Sequence, residues 1–120
     1  MHALLVSTND HTGRLHQLIL SRCLFDVTWV YEVDYGVYKA THSTFNLVVM
    51  EWNLWPEHQR VVELAEALTI YDPTLPVLLI ICRMRNEMPY EMFAHISFTA
   101  VLESPHFAKR LDILRSYARE

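Results

Sequence analysis

The chain has 120 residues, of which 52% are hydrophobic and 20% are charged, and its formal net charge is −4. This length predicts one domain with a buried core. The sequence has no stretch of about 18 apolar residues and no signal-peptide pattern at its start, so we expect a cytoplasmic protein with no membrane contact. The ten Lys and Arg residues are scattered, which disfavours direct binding of nucleic-acid phosphates.

Five apolar segments have the character of β-strands. Four are nearly continuous, as is typical of strands covered on both faces of a sheet. These four are residues 3–6, 47–50, 77–82 and 99–102. The fifth, residues 25–33, alternates between apolar and polar positions, which favours a half-exposed strand at the edge of the sheet.

Helical patterns lie between the strands. They predict helices at 11–23, 34–43, 57–71 and 89–96, and a C-terminal helix that begins after Ser104 and Pro105. The first helix carries an apolar face and a candidate N-cap. The residues concerned are Leu15, Leu18 and Ile19 on the face, and Asp10 or Thr12 at the cap.

Strands and helices alternate along the whole chain, which predicts a parallel sheet with helices on both faces. We expect a single doubly wound α/β domain over 1–120, with five strands in the order 2-1-3-4-5 and five flanking helices. In such a sheet the working crevice lies beyond the carboxyl ends of the first and third strands. Ser7, Thr8 and Asp10 follow the first of these strands, and Glu51 ends the third.

Four segments resemble the receiver domain of two-component response regulators, a flavodoxin-like fold. VDYGVYKA (33–40) is similar to the family's E-D-G-x-x-A-L segment, and LVVMEWNLWP (47–56) is similar to L-V-(I/L)-x-D-x-x-M-P. LPVLLI (75–80) resembles the fourth strand of the family, and AVLESPHF (100–107) resembles Y-(L/V)-x-K-P-F. The resemblance covers about residues 3–119. It implies a regulatory module of a two-component phosphorelay.

The resemblance also implies that the phosphorylation site is degenerate. Glu51 stands at the position of the phosphoaccepting aspartate. Ser7 and Thr8 replace the two acids that hold Mg²⁺ in the family, and Asp10 lies two residues further on.

The remaining positions of that site have changed as well. Ile81 stands where the family has a switch hydroxyl, and Ser104 replaces the phosphate-binding lysine, although the following Pro105 is kept. Phosphoryl transfer needs a metal ion and a cation to hold the developing charge. We therefore expect a pseudo-receiver with no enzymatic activity, no cofactor and no bound metal.

Two interpretations of Glu51 remain open. The carboxylate could imitate a phosphorylated aspartate, or it could be semi-exposed, either solvated or capping the helix that follows. We expect the solvated form, because the resemblance leaves it no cation or hydroxyl to recruit. Trp52 and Trp55 follow within four positions, and we expect them to cover the pocket.

The sequence also predicts an interaction surface. The segment NEMPYEMFAH (86–95) brings Met88, Met92 and Phe93 to the short fourth helix, and Trp55 is a further candidate. In receivers the fourth helix, fifth strand and fifth helix form the usual contact face. The resemblance therefore implies a homodimer through this face, or contact with a protein partner or a fused output domain of a longer regulator.

Two alternatives to this function stay open. The first is an FMN-binding module, because STNDHTG (7–13) is similar to the phosphate loop of flavodoxins, with Trp52 or Trp55 as a ring that could stack on the flavin. The second is a receiver that is still phosphorylated on an unusual acceptor. The seven histidines form no i, i+4 pair, so we expect them at the surface and not in a metal site.

Overall fold

The computed structural model describes residues 1–52, 58–81, 100–103 and 111–119, and side chains within 1–51, 61–80 and 114–119. The strands in these ranges are β1 (His2–Val6), β2 (Asp26–Val30), β3 (Leu47–Trp52), β4 (Val77–Ile81) and β5 (Ala100–Glu103). The helices are α1 (Asp10–Arg22), α2 (Val33–His42), α3 (His58–Tyr71) and α4 (Leu111–Tyr117). The predicted helix at 89–96 lies outside the described residues.

The five strands form one sheet in the order β2-β1-β3-β4-β5, and every neighbouring pair is parallel. The predicted fold class and strand order are therefore confirmed. The edge position predicted for β2 from its alternating sequence is also correct, since three of its five residues are only partly buried. No helix in the described ranges is both long enough and apolar enough to span a membrane.

Two apolar cores lie on opposite faces of the sheet because successive side chains of a strand point to opposite sides. One core lies between the sheet and helices α2 and α3. It contains Leu4 and Met50 of the sheet and Leu64 and Leu68 of α3. The alternate residues of the same strands belong to the other core, under α1 and α4. Members of this second core include Leu5, Val49, Ile19, Leu20 and Leu114. The double coverage explains why the central strands have nearly continuous apolar sequences.

The buried face of α1 differs from the predicted one. Ile19 is buried as expected, but Leu15 and Leu18 are 47% and 58% exposed. The helix instead buries Gly13 and His16 along with Ile19 and Leu20. A buried polar contact of His16, described below, sets the rotation of α1 about its own axis. A pattern based on apolar residues alone cannot predict this contact.

The start of α1 also differs from the prediction. Asn9 is the N-cap, and its side chain accepts hydrogen bonds from the backbone N–H groups of His11 and Thr12. Asp10 is the exposed first residue of the helix, and Thr12 lies within the first turn. The cap predicted at Asp10 or Thr12 is therefore wrong. Asparagine is as favourable at the N-cap as aspartate, because its side-chain oxygen accepts the same hydrogen bonds from backbone N–H groups of the first turn.

Candidate functional site

The carboxyl ends of β1 and β3 lie side by side at one edge of the sheet. The two strands are hydrogen-bonded neighbours, and Val6 pairs with Met50 in their register. Ser7 follows Val6 and Glu51 follows Met50, and the side chains of Ser7 and Glu51 are hydrogen-bonded to each other. Open α/β sheets form their binding crevices at this edge.

The Glu51 carboxylate lies inside the protein, with 5% of the residue exposed. Its Oε2 accepts a hydrogen bond from Ser7 Oγ and another from Thr12 Oγ1 at 2.9 Å. Its Oε1 contacts Nδ1 of His16, whose exposed fraction is 0%. An ionised carboxylate can only accept hydrogen bonds, so Nδ1 carries the hydrogen in this contact. Three side-chain donors therefore surround one buried carboxylate.

Helix α1 supplies two of the three donors. The helix begins after its N-cap, Asn9, and Thr12 and His16 are four residues apart within it. Side chains four residues apart lie on the same face of a helix. Both can therefore reach the same carboxylate on β3, and the contact fixes the rotation of α1 about its axis.

The environment lowers the pKa of Glu51 below its usual value of 4.5. Burial by itself raises the pKa, because desolvation disfavours the charged carboxylate. The hydrogen bonds from His16, Ser7 and Thr12 and the coulombic attraction of His16 act in the opposite direction and prevail together. The carboxylate is therefore ionised at neutral pH.

An indole ring closes one side of this network. Trp29 of the edge strand β2 donates its Nε1–H to the backbone carbonyl oxygen of Ser7 at 3.1 Å. The ring lies directly over Gly13 of α1. A Cβ atom at Gly13 would lie 2.7 Å from Trp29 Cε2 and 2.9 Å from Ser7 Oγ, so a side chain there has no space.

Replacing Gly13 with alanine should destabilise the protein by about 1 kcal/mol. Overpacking a filled site costs roughly 1–3 kcal/mol, and the gain in helix propensity offsets about 1 kcal/mol of that cost. Urea denaturation measures the change. Ser21→Ala is the matched control, because Ser21 is an exposed residue of the same helix. A Gly13→Ala variant that is more stable than the wild type would show that the indole does not pack on α1 in this way.

The structure corrects two predictions about this site. Glu51 is neither solvated nor semi-exposed, because the hydroxyls of Ser7 and Thr12 and the imidazole of His16 surround it, and the resemblance pointed to neither Thr12 nor His16. His16 is not a surface residue, although His2, His11 and His42 are exposed as expected. The sequence does hold a signal for the missed contact. Thr12 and His16 are two polar residues at helical spacing, in the helix that follows β1.

The other predicted site residues are either exposed, or their side chains lie outside the described residues. Thr8 and Asp10 are exposed. Ile81 ends β4 and pairs with Trp52 and Glu103 in the sheet. The side chains of Trp52 and Ile81 lie outside the described residues. So do Trp55, Met88, Met92, Phe93, Ser104 and Pro105.

The described site holds a buried negative charge at the end of β3. Both carboxylate oxygens of Glu51 accept hydrogen bonds inside the protein. Mg²⁺ prefers several oxygen ligands, and Ser7 and Thr8 offer neutral hydroxyls where a cation site would need carboxylates. Within the described ranges, no three His, Cys, Asp or Glu side chains lie close enough together to hold a metal ion.

Comparison with solved structures relates this architecture to receiver domains. The N-terminal domain of a response regulator/sensory box/GGDEF protein from Carboxydothermus hydrogenoformans has a TM-score of 0.80 and 16% identity, over 97% of this chain and 91% of that one. Chemotaxis protein CheY4 of Vibrio cholerae has a TM-score of 0.77 and 15% identity, over 97% of both chains. No protein-family model and no curated protein matches the sequence.

A third similar structure is the receiver domain of the sensor histidine kinase PA1611 of Pseudomonas aeruginosa PAO1, described with a magnesium ion in its active-site cleft. Its TM-score is 0.78 at 16% identity, over 97% of this chain and 95% of that one. These likenesses and the strand order show that the chain has the fold of response regulator receiver domains.

Proposed function

We propose that this domain is a signalling module of the receiver type that acts through protein–protein contact and takes up no phosphate. The receiver fold supports the general class. One observation carries the finer proposal: the residue at the phosphoacceptor position, Glu51, is buried and hydrogen-bonded to Ser7, Thr12 and His16. The partner in this proposal is another protein or an output domain joined to this one.

In this proposal Glu51 is a structural anchor and not an imitation of a phosphorylated aspartate. A carboxylate that imitates a phosphorylated aspartate has to attract a hydroxyl and a cation at the ends of β4 and β5. The sequence has the apolar Ile81 and the uncharged Ser104 at these positions. The three donors described here come from the end of β1 and from α1. The charge of Glu51 therefore fixes α1 against the sheet.

The FMN alternative receives less support from the same geometry. A flavin phosphate at the start of α1 would need backbone N–H groups as donors. The N–H groups of His11 and Thr12 are already bonded to the Asn9 side chain, at 2.9 and 3.1 Å. The exposed carboxylate of Asp10 would also repel the phosphate.

Acetyl phosphate with Mg²⁺ should leave the protein unmodified, because the Glu51 oxygens are inaccessible and no described carboxylate stands beside them to hold the metal. Intact-protein mass spectrometry measures the outcome. A conventional receiver with its acid pair, treated in the same tube, serves as the positive control for the reagent and the metal.

The Glu51→Gln variant locates any label that appears. Stoichiometric phosphorylation of the wild type that is lost in Glu51→Gln would overturn the proposal, since it would make Glu51 a working acceptor. Phosphorylation that persists in the variant would place an acceptor elsewhere and would also contradict a module that takes up no phosphate.

A further inference from the structure

The edge strand β2 has a free side, because no strand in the described ranges lies next to it there. On its other side it bonds to β1 through its even-numbered residues. Asp26 donates its N–H to the carbonyl oxygen of Met1 at 2.8 Å, and the carbonyl oxygen of Val30 accepts the N–H of Ser7 at 3.1 Å. In a parallel pair the alternate residues turn their backbone groups the other way. The odd-numbered residues of β2 therefore point to the free side.

Val27 and Trp29 carry these outward-pointing N–H and C=O groups. None of the hydrogen bonds among the described residues occupies the groups on this side. The side chains of Val27, Thr28 and Trp29 are only partly buried, so the helices on the two faces of the sheet do not cover this part of the edge. An open strand edge of this kind is a template for pairing with another strand.

The sequence of this edge lacks the features that usually prevent such pairing. Edge strands are commonly protected by lysine, by proline or by a β-bulge. The segment FDVTWVY (25–31) contains no lysine, proline or glycine, and its one charged residue is Asp26. Its register with β1 is unbroken, so β2 has no bulge. The β-branched and aromatic residues of the segment favour pairing with a further strand.

The strand is complementary to itself in one antiparallel register. When Thr28 lies opposite Thr28 of a second copy across a two-fold axis, Val27 lies opposite Trp29 of that copy. Both of these residues have outward-pointing backbone groups, so each copy would donate two hydrogen bonds and accept two. Threonine opposite threonine is a favourable cross-strand pair.

The neighbouring antiparallel registers are less favourable. With Trp29 on the axis, Asp26 lies opposite Glu32 of the other copy, and like charges directly opposite each other are destabilising. With Val27 on the axis, Phe25 has to take part in the pairing, but its N–H is already donated within its own chain, at 3.2 Å. The first register avoids both problems.

We propose that two copies of this domain associate through β2, antiparallel about an axis at Thr28, and join their five-stranded sheets into one. Both copies use the same edge, so the contact closes at a dimer. β2 has five residues, well below the roughly 20–30 residues a side of a stable complex, so the dimer is weak and depends on concentration. The proposal goes beyond the proposed function and does not depend on whether Glu51 accepts phosphate.

Sedimentation velocity over a series of protein concentrations should show a reversible monomer–dimer equilibrium. Thr28→Lys and Thr28→Glu each place like charges opposite one another and should weaken the dimer at least about tenfold. An equimolar mixture of the two variants should associate again, because the lysine of one copy then faces the glutamate of the other. Ala67→Lys is the matched control, since it adds a charge at an exposed position on α3 and should leave the equilibrium unchanged.

Val27→Pro tests the backbone hydrogen bonds. Proline removes an N–H that points to the free side and does not serve the sheet, so the variant should fold and fail to dimerise. Val27→Thr keeps both the N–H and the β-branched shape and should dimerise as the wild type does. Far-ultraviolet circular dichroism checks the fold of both variants, and the charged variants decide the question if Val27→Pro does not fold.

Three results would overturn the proposal. The first is a wild type that stays monomeric at every concentration. The second is a dimer that Thr28→Lys leaves unchanged, which would place the contact on another surface. The third is a mixture of Thr28→Lys and Thr28→Glu that does not associate, which would exclude the register. Species larger than a dimer would also contradict a contact that closes on itself.

Discussion

Replacing His16 with leucine should destabilise the protein by about 3 kcal/mol, because it takes a hydrogen-bond donor from a buried carboxylate and such a loss costs roughly 1–3 kcal/mol, or more for a charged group. Leucine fills a similar volume but has no hydrogen to offer Glu51 Oε1. The carboxylate then stays buried with one donor fewer, while Ser7 and Thr12 continue to donate to Oε2. Urea denaturation at pH 7 measures the loss.

His11→Leu is the control for that experiment. His11 lies on the same helix but is exposed, so its replacement should change the stability by no more than about 0.5 kcal/mol. If the two variants have the same small effect, His16 is not a necessary partner of Glu51, and the rotation of α1 must have another cause.

Replacing Glu51 with glutamine should cost about 2 kcal/mol at pH 7, in the range for hydrogen bonds to a charged group. The difference from the wild type should shrink on acidification. Because folding lowers the pKa of Glu51, the ionised carboxylate contributes its full stabilisation above its usual pKa of 4.5. That contribution is lost as the pH falls through the lower pKa of the folded state.

Stability curves of both proteins between pH 7 and pH 3 measure this effect. Asp72 also has a lowered pKa, through hydrogen bonds from Thr74 and Arg119, but it is present in both proteins and cancels in the difference. A difference within about 0.5 kcal/mol at every pH is what a solvated Glu51 would give. Such a result would contradict the buried network.

The sheet could be predicted because its sequence signals are local and strong. Runs such as 47–50 and 77–82 are apolar at nearly every position, and the alternation at 25–33 distinguishes β2 as an edge strand. Parallel strands joined by helices then have few possible arrangements. The strand order followed from these constraints and from the receiver-like segments.

The environment of Glu51 could not be predicted in the same way. The resemblance directed attention to the positions of the family's site, and His16 is not one of them. Its role depends on the rotation of α1, which Leu15 and Leu18 suggested incorrectly because large apolar residues often remain at a surface. The contact joins positions 35 residues apart, so no local pattern reports it.

Trp29 was missed for a related reason. In the sequence it is one of several aromatic residues in an edge strand, whereas Trp52 and Trp55 stand next to Glu51. In the fold, β2 lies beside β1, so the indole of Trp29 donates a hydrogen bond to the backbone of Ser7 and packs against Gly13. Neighbours across a sheet can thus be closer to a site than neighbours along the chain.

The most direct test of the account is the titration of the Glu51 side-chain carboxyl carbon, followed by NMR in the wild-type protein and assigned with Glu51→Gln. The buried network of Ser7, Thr12 and His16 predicts a midpoint below the usual value of 4.5. A midpoint at 4.5 would indicate a solvated carboxylate, and a midpoint above it would indicate burial without these donors. Either result would contradict the claim that Glu51 is an ionised anchor for α1.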